Sequence, residues 1–182
     1  MSQQDQNPGK ALPVEIARIF LMHGNIDETM HARFAEALAL LEHENNQPIF
    51  IHISSFGGDA YEMFGIIDLM RIAQSPLITI CTGKAMSAAA LILAAGKRGE
   101  RRMGKYSRLM LHEVTGGGEW GKAYELQTNV DETSALQKNY LELLAQYTGK
   151  SLKTWEKLFA EHKDKYIDAK TAKDLGIIDI IF

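Results

Sequence analysis

Residues 77–95, with the sequence LITICTGKAMSAAALILAA, decide the fold. The apolar run 77–82 has the length of a buried β-strand, and Gly83 opens the turn that follows it. Small and apolar residues continue over 88–95 and predict a buried helix directly after Ser87. A strand that passes through a glycine turn into a helix is the repeating unit of a parallel α/β sheet.

The same alternation of strand and helix recurs on both sides of this segment. Asp27 and Asp59 each stand where a helix would begin, in positions that suit an N-cap. The predicted strands are 16–22, 48–53, 101–103 and 107–111, and the predicted helices are 27–44 and 59–73. This order predicts an α/β fold with a largely parallel sheet, in which ligands bind beyond the carboxyl ends of the strands.

Composition excludes several classes of protein. The chain has 182 residues, enough for one domain, and its 46% hydrophobic content predicts a packed core. A net charge of −3 disfavours nucleic acid as a partner, and no apolar run is long enough to cross a membrane. One cysteine, Cys81, cannot form an internal disulfide. We expect a cytoplasmic protein with an N-terminal leader over 1–17 and a single domain over 18–182.

A long helix is predicted over 122–146, at about 40 Å nearly as long as such a domain is wide. Its irregular apolar stripe is expected either to meet a partner subunit or to fold back across the sheet. The C-terminal quarter predicts a helix at 152–160, a short segment at 166–167, a helix capped by Asp168 and a strand at 177–181.

Ser87 is the candidate nucleophile, because a serine between a strand and a helix can expose its hydroxyl beside free backbone N–H groups. A serine at this position is also a common N-cap. His112, directly after the strand 107–111, is the candidate base, although a histidine at a strand end is often structural. Gly57 and Gly58 have no Cβ to block close approach and, with the N–H of Ala88, could form an oxyanion hole.

A third group, a carboxylate, would fix the tautomer of His112. The aspartates of the C-terminal quarter compete for this role. Asp168 is the expected cap of a helix, whereas Asp164 lies in a loop and is freer to turn inward. The sequence alone leaves both open.

The ordered set of short motifs resembles the proteolytic subunit of the Clp protease family. The resemblance runs from about residue 18 to the C-terminus and rests on 19–21, 54–58, 80–88, 110–112, 147–149 and 172–179. It implies a serine peptidase on a crotonase-like fold of stacked ββα (βαβ) units with a handle region at about 116–148. It also implies Ser87 as nucleophile, His112 as base, Asp164 as orienting carboxylate, and Gly58 with Ala88 as oxyanion donors.

The resemblance further implies heptameric rings, stacked into a tetradecamer through the handle helix, and an ATP-driven unfoldase as a separate partner. Gly57, Gly116 and Gly117 would bind the backbone of a peptide or unfolded protein, and no cofactor or metal is expected. The chain departs from the family at Phe56, where a proline is usual, and Phe50 and His52 occupy the strand positions used for unfoldase docking.

Three alternatives remain at this stage. A specialised processing peptidase of phage or prophage type would explain the altered docking strand. A catalytically silent ring scaffold would carry the same residues without turnover. A crotonase-type coenzyme A enzyme would use the paired N–H groups but has no role for Ser87, His112 and Asp164.

Overall fold

The computed structural model describes residues 18–116 and 121–182, so the predicted leader 1–17 lies outside the described residues. Strands and helices alternate through the first half of the chain, as predicted. The strands are β1 (Ile19–Ile26), β2 (Ile49–Gly58), β3 (Leu77–Met86), β4 (Arg102–Met103), β5 (Arg108–Leu111), β6 (Lys165–Ile167) and β7 (Ile180–Ile181). The helices are α1 (Glu28–Glu44), α2 (Ala60–Ile72), α3 (Ala88–Ala94), α4 (Ala123–Thr148), α5 (Leu152–Phe159) and α6 (Ala169–Asp174).

The sheet forks at β3. Its main path is β1-β2-β3-β4-β7, and all of these neighbours are parallel. The first half of β3 pairs with β4 through Ile80 and Cys81, and its last residues, Lys84–Met86, pair with β5. β5 then pairs with β6 in antiparallel register. The predicted α/β class with a largely parallel sheet is confirmed.

Several strands differ in length from the sequence-based prediction. β1 does not stop at Gly24 but runs on to Ile26, and β2 and β3 continue through their glycine turns to Gly58 and Met86. The reason is that these turn residues still pair with the neighbouring strand, as Ile26 does with Gly58. β7 is shorter than predicted, because Ile177 and Ile178 are buried without joining the sheet.

The helix starts follow from the predicted caps. The Asp27 carboxylate accepts a hydrogen bond from the Met30 N–H at 2.9 Å. The Asp59 carboxylate accepts from the N–H groups of Tyr61 and Glu62, at 2.7 and 3.1 Å. Each satisfies N–H groups that the first helical turn leaves without a partner.

Helix α3 forms the centre of the core. Every residue from Ala88 to Ala94 is buried, with exposures of 4% or less. The small side chains at the start of α3 let it pack closely against β2, β3 and α4. The turn that enters this helix is therefore held on several sides.

Helix α4 has 26 residues, which corresponds to a length of about 39 Å. Its C-terminal half is anchored in the core through Tyr140, Leu144 and Thr148, whereas residues 123–132 are exposed. The predicted long helix is thus present, and its N-terminal part is not covered by the described part of the chain.

A buried arginine ties the C-terminal segment to two helix ends. Arg101 donates to both carboxylate oxygens of Asp179, at 2.8 and 2.7 Å, and to the carbonyls of Ala94 and Tyr147. It is 2% exposed. This contact joins the ends of α3 and α4 to the residues before β7. Among the described residues, no helix is both long and apolar enough to cross a membrane.

Candidate active site

Ser87 occupies a strained turn between β3 and α3. Its backbone has φ 53° and ψ −124°, a left-handed φ that is uncommon for a residue with a side chain. Its N–H donates to the carbonyl of Met110 on β5 at 2.7 Å. The side chain makes no capping hydrogen bond to α3. The helix-cap role that the sequence allowed is therefore not the one that Ser87 adopts.

His112 lies directly against this hydroxyl. Its Nε2 is 2.7 Å from Ser87 Oγ, a normal hydrogen-bond distance. The sheet explains the contact: β5 pairs with the end of β3, so the residue after β5 stands beside the residue after β3. Two side chains separated by 25 positions in the sequence are thus brought together by one strand pairing.

Gly57 and Gly58 lie in close contact with the turn and with β1. A Cβ on Gly57 would lie 2.6 Å from Ser87 Cβ, and one on Gly58 would lie 2.1 Å from the Ile26 carbonyl oxygen. Both residues also have positive φ, so glycine is required by space and by conformation. Gly58 and Ala88 line the groove beside Ser87, whereas Gly57 packs behind the turn and is not among the described lining residues.

The N–H of Ala88 meets the main condition for an oxyanion donor. Ala88 is the first residue of α3, and the first N–H groups of a helix have no partner within it. It follows the serine directly and carries the positive end of the helix dipole.

Asp164 is close to His112 along the sheet but is not bonded to it. The antiparallel pairing of β5 with β6 ends at Leu111 opposite Lys165, so the next residues along the two strands are His112 and Asp164. The Asp164 side chain is exposed, and no hydrogen bond joins it to His112 among the described residues.

Asp168 has a different role. Its carboxylate caps α6 by accepting from the Thr171 N–H at 2.8 Å. This hydrogen bond is the main cause of the lowered pKa of Asp168, with smaller effects from Arg108 and Lys170. Asp168 is thus fixed at a helix start, on the far side of β6 from His112.

A groove of about 460 Å³ begins at Ser87 and His112. The segment 113–116 forms one side, and Val114 is held there because its N–H donates to the Gln137 side chain at 2.7 Å. A Cβ on Gly116 would lie 2.9 Å from Thr133 Oγ1, so this segment approaches α4 closely. Gly117, the other predicted substrate contact, lies outside the described residues.

Helix α4 supplies part of the groove that the sequence analysis missed. Its lining residues are Asn129, Glu132, Thr133, Leu136 and Tyr140. They recur at spacings of three and four, which is one face of a helix. Leu136 and Tyr140 belong to the apolar stripe predicted for this helix, whereas the polar residues on the same face carry no such signal.

Within the described ranges, Cys81 and the histidine pair on β1 and β2 stand apart from the groove at Ser87. Burial raises the pKa of the Cys81 thiol to about 12, so it is not a nucleophile at neutral pH. His23 Nε2 lies 3.3 Å from His52 Nδ1 on an outer face of the sheet. Among residues 18–116 and 121–182, no group of three or more potential metal ligands is present.

A serine on a strained strand-to-helix turn, paired with an imidazole and facing helix N–H groups, is the arrangement typical of serine hydrolases. The model of the Clp protease family matches residues 12–182 of this chain. An ATP-dependent Clp protease proteolytic subunit from Bacteroides fragilis strain YCH46 is 34% identical over 164 residues, which cover 89% of this chain and 73% of that protein. A relative of the same name from a second Bacteroides fragilis strain is also 34% identical, with 77% of its length covered. The chain belongs to the Clp protease family and is therefore a serine-type peptidase.

Proposed function

We propose that this protein hydrolyses peptide bonds through an acyl-enzyme on Ser87. The observation that carries the proposal is the 2.7 Å contact between Ser87 Oγ and His112 Nε2 at a strained turn. His112 takes the hydroxyl proton as Ser87 Oγ attacks the scissile carbonyl carbon. It returns that proton to the amine as the C–N bond breaks, and water then hydrolyses the ester.

The N–H groups of Gly58 and Ala88 are proposed to bind the oxyanion of the tetrahedral intermediate. Each such donor typically lowers the barrier by about 3 kcal/mol. Asp164 is proposed to hold His112 in the tautomer with a proton on Nδ1. The β5–β6 register supports Asp164 over Asp168, because Asp164 follows the last residue pair on the His112 side.

Peptide backbone is proposed to lie along the segment 113–116, with Gly57 keeping the turn clear and Gly116 and Gly117 giving room for close approach. The exposed N-terminal part of α4 supports a homo-oligomer, which the resemblance implies to be paired heptameric rings. The two relatives are named as subunits of an ATP-dependent protease, and we propose a separate ATPase partner and a cytoplasmic location here too.

The test of the site is active-site labelling with a fluorophosphonate probe. Wild-type protein is expected to be labelled, and Ser87→Ala is expected to lose all labelling because the attacking oxygen is gone. Labelling that persists in Ser87→Ala would contradict the proposed nucleophile.

The role of Asp164 as the orienting carboxylate is tested by a matched pair of variants, Asp164→Asn and Asp168→Asn. Asp164→Asn is expected to lower the peptidase kcat by roughly 10³-fold or more, because the wrong tautomer of His112 is then favoured. Asp168→Asn keeps a side-chain oxygen that can cap α6 and is expected to keep most of the kcat. The reverse order of effects would transfer the role to Asp168.

A further inference from the structure

The groove beside Ser87 carries negative charge that the hydrolytic steps do not use. Three acidic residues line it, Asp59, Glu113 and Glu132, and no lysine or arginine is among its described lining residues. A cleft lined by charges of one sign raises the local concentration of ligands of the opposite sign.

Two of these carboxylates, Glu132 and Glu113, each contact a neighbouring polar side chain, and we call them the rim carboxylates. Glu132 on α4 accepts a hydrogen bond from the Tyr61 hydroxyl at 3.0 Å. That hydrogen bond is the main reason the pKa of Tyr61 is raised, so Tyr61 remains a donor at neutral pH. Glu113, the residue after His112, lies 2.9 Å from His162 Nδ1 and is only partly exposed. Each carboxylate therefore contacts a polar side chain of another part of the fold.

Part of the groove lining is apolar. It includes Met63, Leu136 and Tyr140, of which Met63 and Tyr140 are almost completely buried. The Tyr140 hydroxyl is buried without a hydrogen-bond partner in the described part of the chain. A groove lined by apolar side chains, a hydroxyl without a partner and carboxylates matches a side chain with an aliphatic stem and a cationic, hydrogen-bond-donating end.

We propose that the groove selects peptides with lysine or arginine next to the bond that Ser87 attacks. This inference rests on the proposed peptidase function and names its substrate class. A single rim carboxylate of this kind is expected to favour a cation by a factor of about 2 to 5, because it remains in contact with water. Glu132 and Glu113 together therefore predict a preference of about 5- to 20-fold.

The preference is tested with three fluorogenic peptides that differ only at the residue before the cleaved bond: lysine, norleucine or glutamate. Norleucine has a similar aliphatic stem without the charge. For the assembled protein at low salt, we expect kcat/KM to be highest for lysine and lowest for glutamate. An equal or higher value for norleucine would overturn the proposal.

Charge-neutral variants test which carboxylates cause the preference for lysine. Glu132→Gln is expected to lower the ratio of lysine to norleucine kcat/KM by about 2- to 5-fold, and Glu113→Gln/Glu132→Gln is expected to lower it further. Glu36→Gln, an exposed carboxylate on α1 away from the groove, is the matched control and should keep the wild-type ratio. A ratio unchanged in the double variant would overturn the assignment to these residues.

A binding measurement separates this inference from the proposed function. Fluorescence anisotropy with the Ser87→Ala variant compares the same lysine and glutamate peptides without any cleavage. If wild-type protein fails to hydrolyse peptides while Ser87→Ala binds the lysine peptide several-fold more tightly, the function fails and the charge selection stands. If hydrolysis proceeds and the two peptides bind equally, the charge selection fails alone.

Discussion

Gly24 and Gly57 have nearly the same backbone torsion, with φ of 101° and 96°, in very different surroundings. A Cβ on Gly24 would meet nothing within 4 Å, whereas one on Gly57 would press against Ser87 Cβ and the Met86 carbonyl oxygen. The two glycines therefore separate the cost of backbone strain from the cost of crowding behind the nucleophile.

The first prediction concerns alanine substitutions at Gly24 and Gly57. Both Gly24→Ala and Gly57→Ala are expected to lose about 1 to 3 kcal/mol of unfolding free energy through strain at positive φ, measured by urea denaturation. Only Gly57→Ala should also slow labelling of Ser87 by a fluorophosphonate, by 10-fold or more, since the turn must shift. Wild-type labelling rates in Gly57→Ala would show that the turn tolerates the added carbon.

At the scale of single residues, the sequence points to Ser87 because it follows a strand and a glycine turn, and to His112 because it follows a strand directly. Strand ends meet at one edge of a parallel sheet, so these positions could be inferred without coordinates. The pairing of Tyr61 with Glu132 could not be inferred. It joins residues 71 positions apart on two helices whose relative placement no sequence pattern encodes.

The helices and strands are predicted well where a local signal marks their ends. Asp27 and Asp59 fix the starts of α1 and α2 through side-chain hydrogen bonds that involve only near neighbours. The prediction ends β2 and β3 too early because residues in and after their glycine turns pair with strands that are distant in sequence, as Gly58 does with Ile26 and Ala85 with Ser55. Such pairing is a tertiary property and leaves no local signature.

His23 on β1 and His52 on β2 form a pair that gives a second prediction. Partial burial lowers the pKa of His52 from its ordinary value of 6.5, and the charge of His23 lowers it further. The folded protein thus binds this proton less readily than the unfolded chain does. Unfolding free energy should be highest above pH 6.5 and fall as the pH drops below it.

His52→Gln is expected to flatten this decline, as followed by urea denaturation between pH 7 and pH 5. His43→Gln, on the exposed last turn of α1, is the control for a histidine without such neighbours. An equal slope in wild type and His52→Gln would mean that the pair does not contribute to the pH dependence.

Helix α4 gives a third prediction, which belongs to the proposed assembly. Val130 lies in its exposed part and is 58% exposed in the protomer. If this surface joins copies of the chain, Val130→Asp buries a charge at the contact and should lower the mass measured by light scattering. Leu40→Asp on α1, at a site that is 70% exposed, is the control and should leave the mass unchanged. A 20.3 kDa species for the wild-type protein would contradict the assembly itself.

At the scale of the whole molecule, the contact between Arg101 and Asp179 joins the C-terminal segment to the ends of α3 and α4. Burial raises the pKa of Asp179, but the hydrogen bonds and charge of Arg101 outweigh this effect, and the pKa is lowered from 3.8. The stability that comes from the ionised form is therefore present above pH 3.8 and is lost as the pH falls through the lowered pKa.

Asp179→Asn is the fourth prediction. It leaves the Arg101 guanidinium buried without its carboxylate and should reduce the unfolding free energy at pH 7 by about 3 kcal/mol. Glu142→Gln, which removes the exposed pair of Lys138 with Glu142, should cost less than about 0.5 kcal/mol. Equal effects of the two changes in urea denaturation would show that burial of the pair does not matter.

Because the sheet forks at β3, the residues of the candidate site lie at the ends of different strands. Ser87 directly follows β3, whereas His112 and Asp164 directly flank the two-stranded ribbon of β5 and β6, which pairs with β3 along Lys84–Met86. A slide of this ribbon by a fraction of a residue would separate nucleophile from base while the register within the ribbon stayed intact.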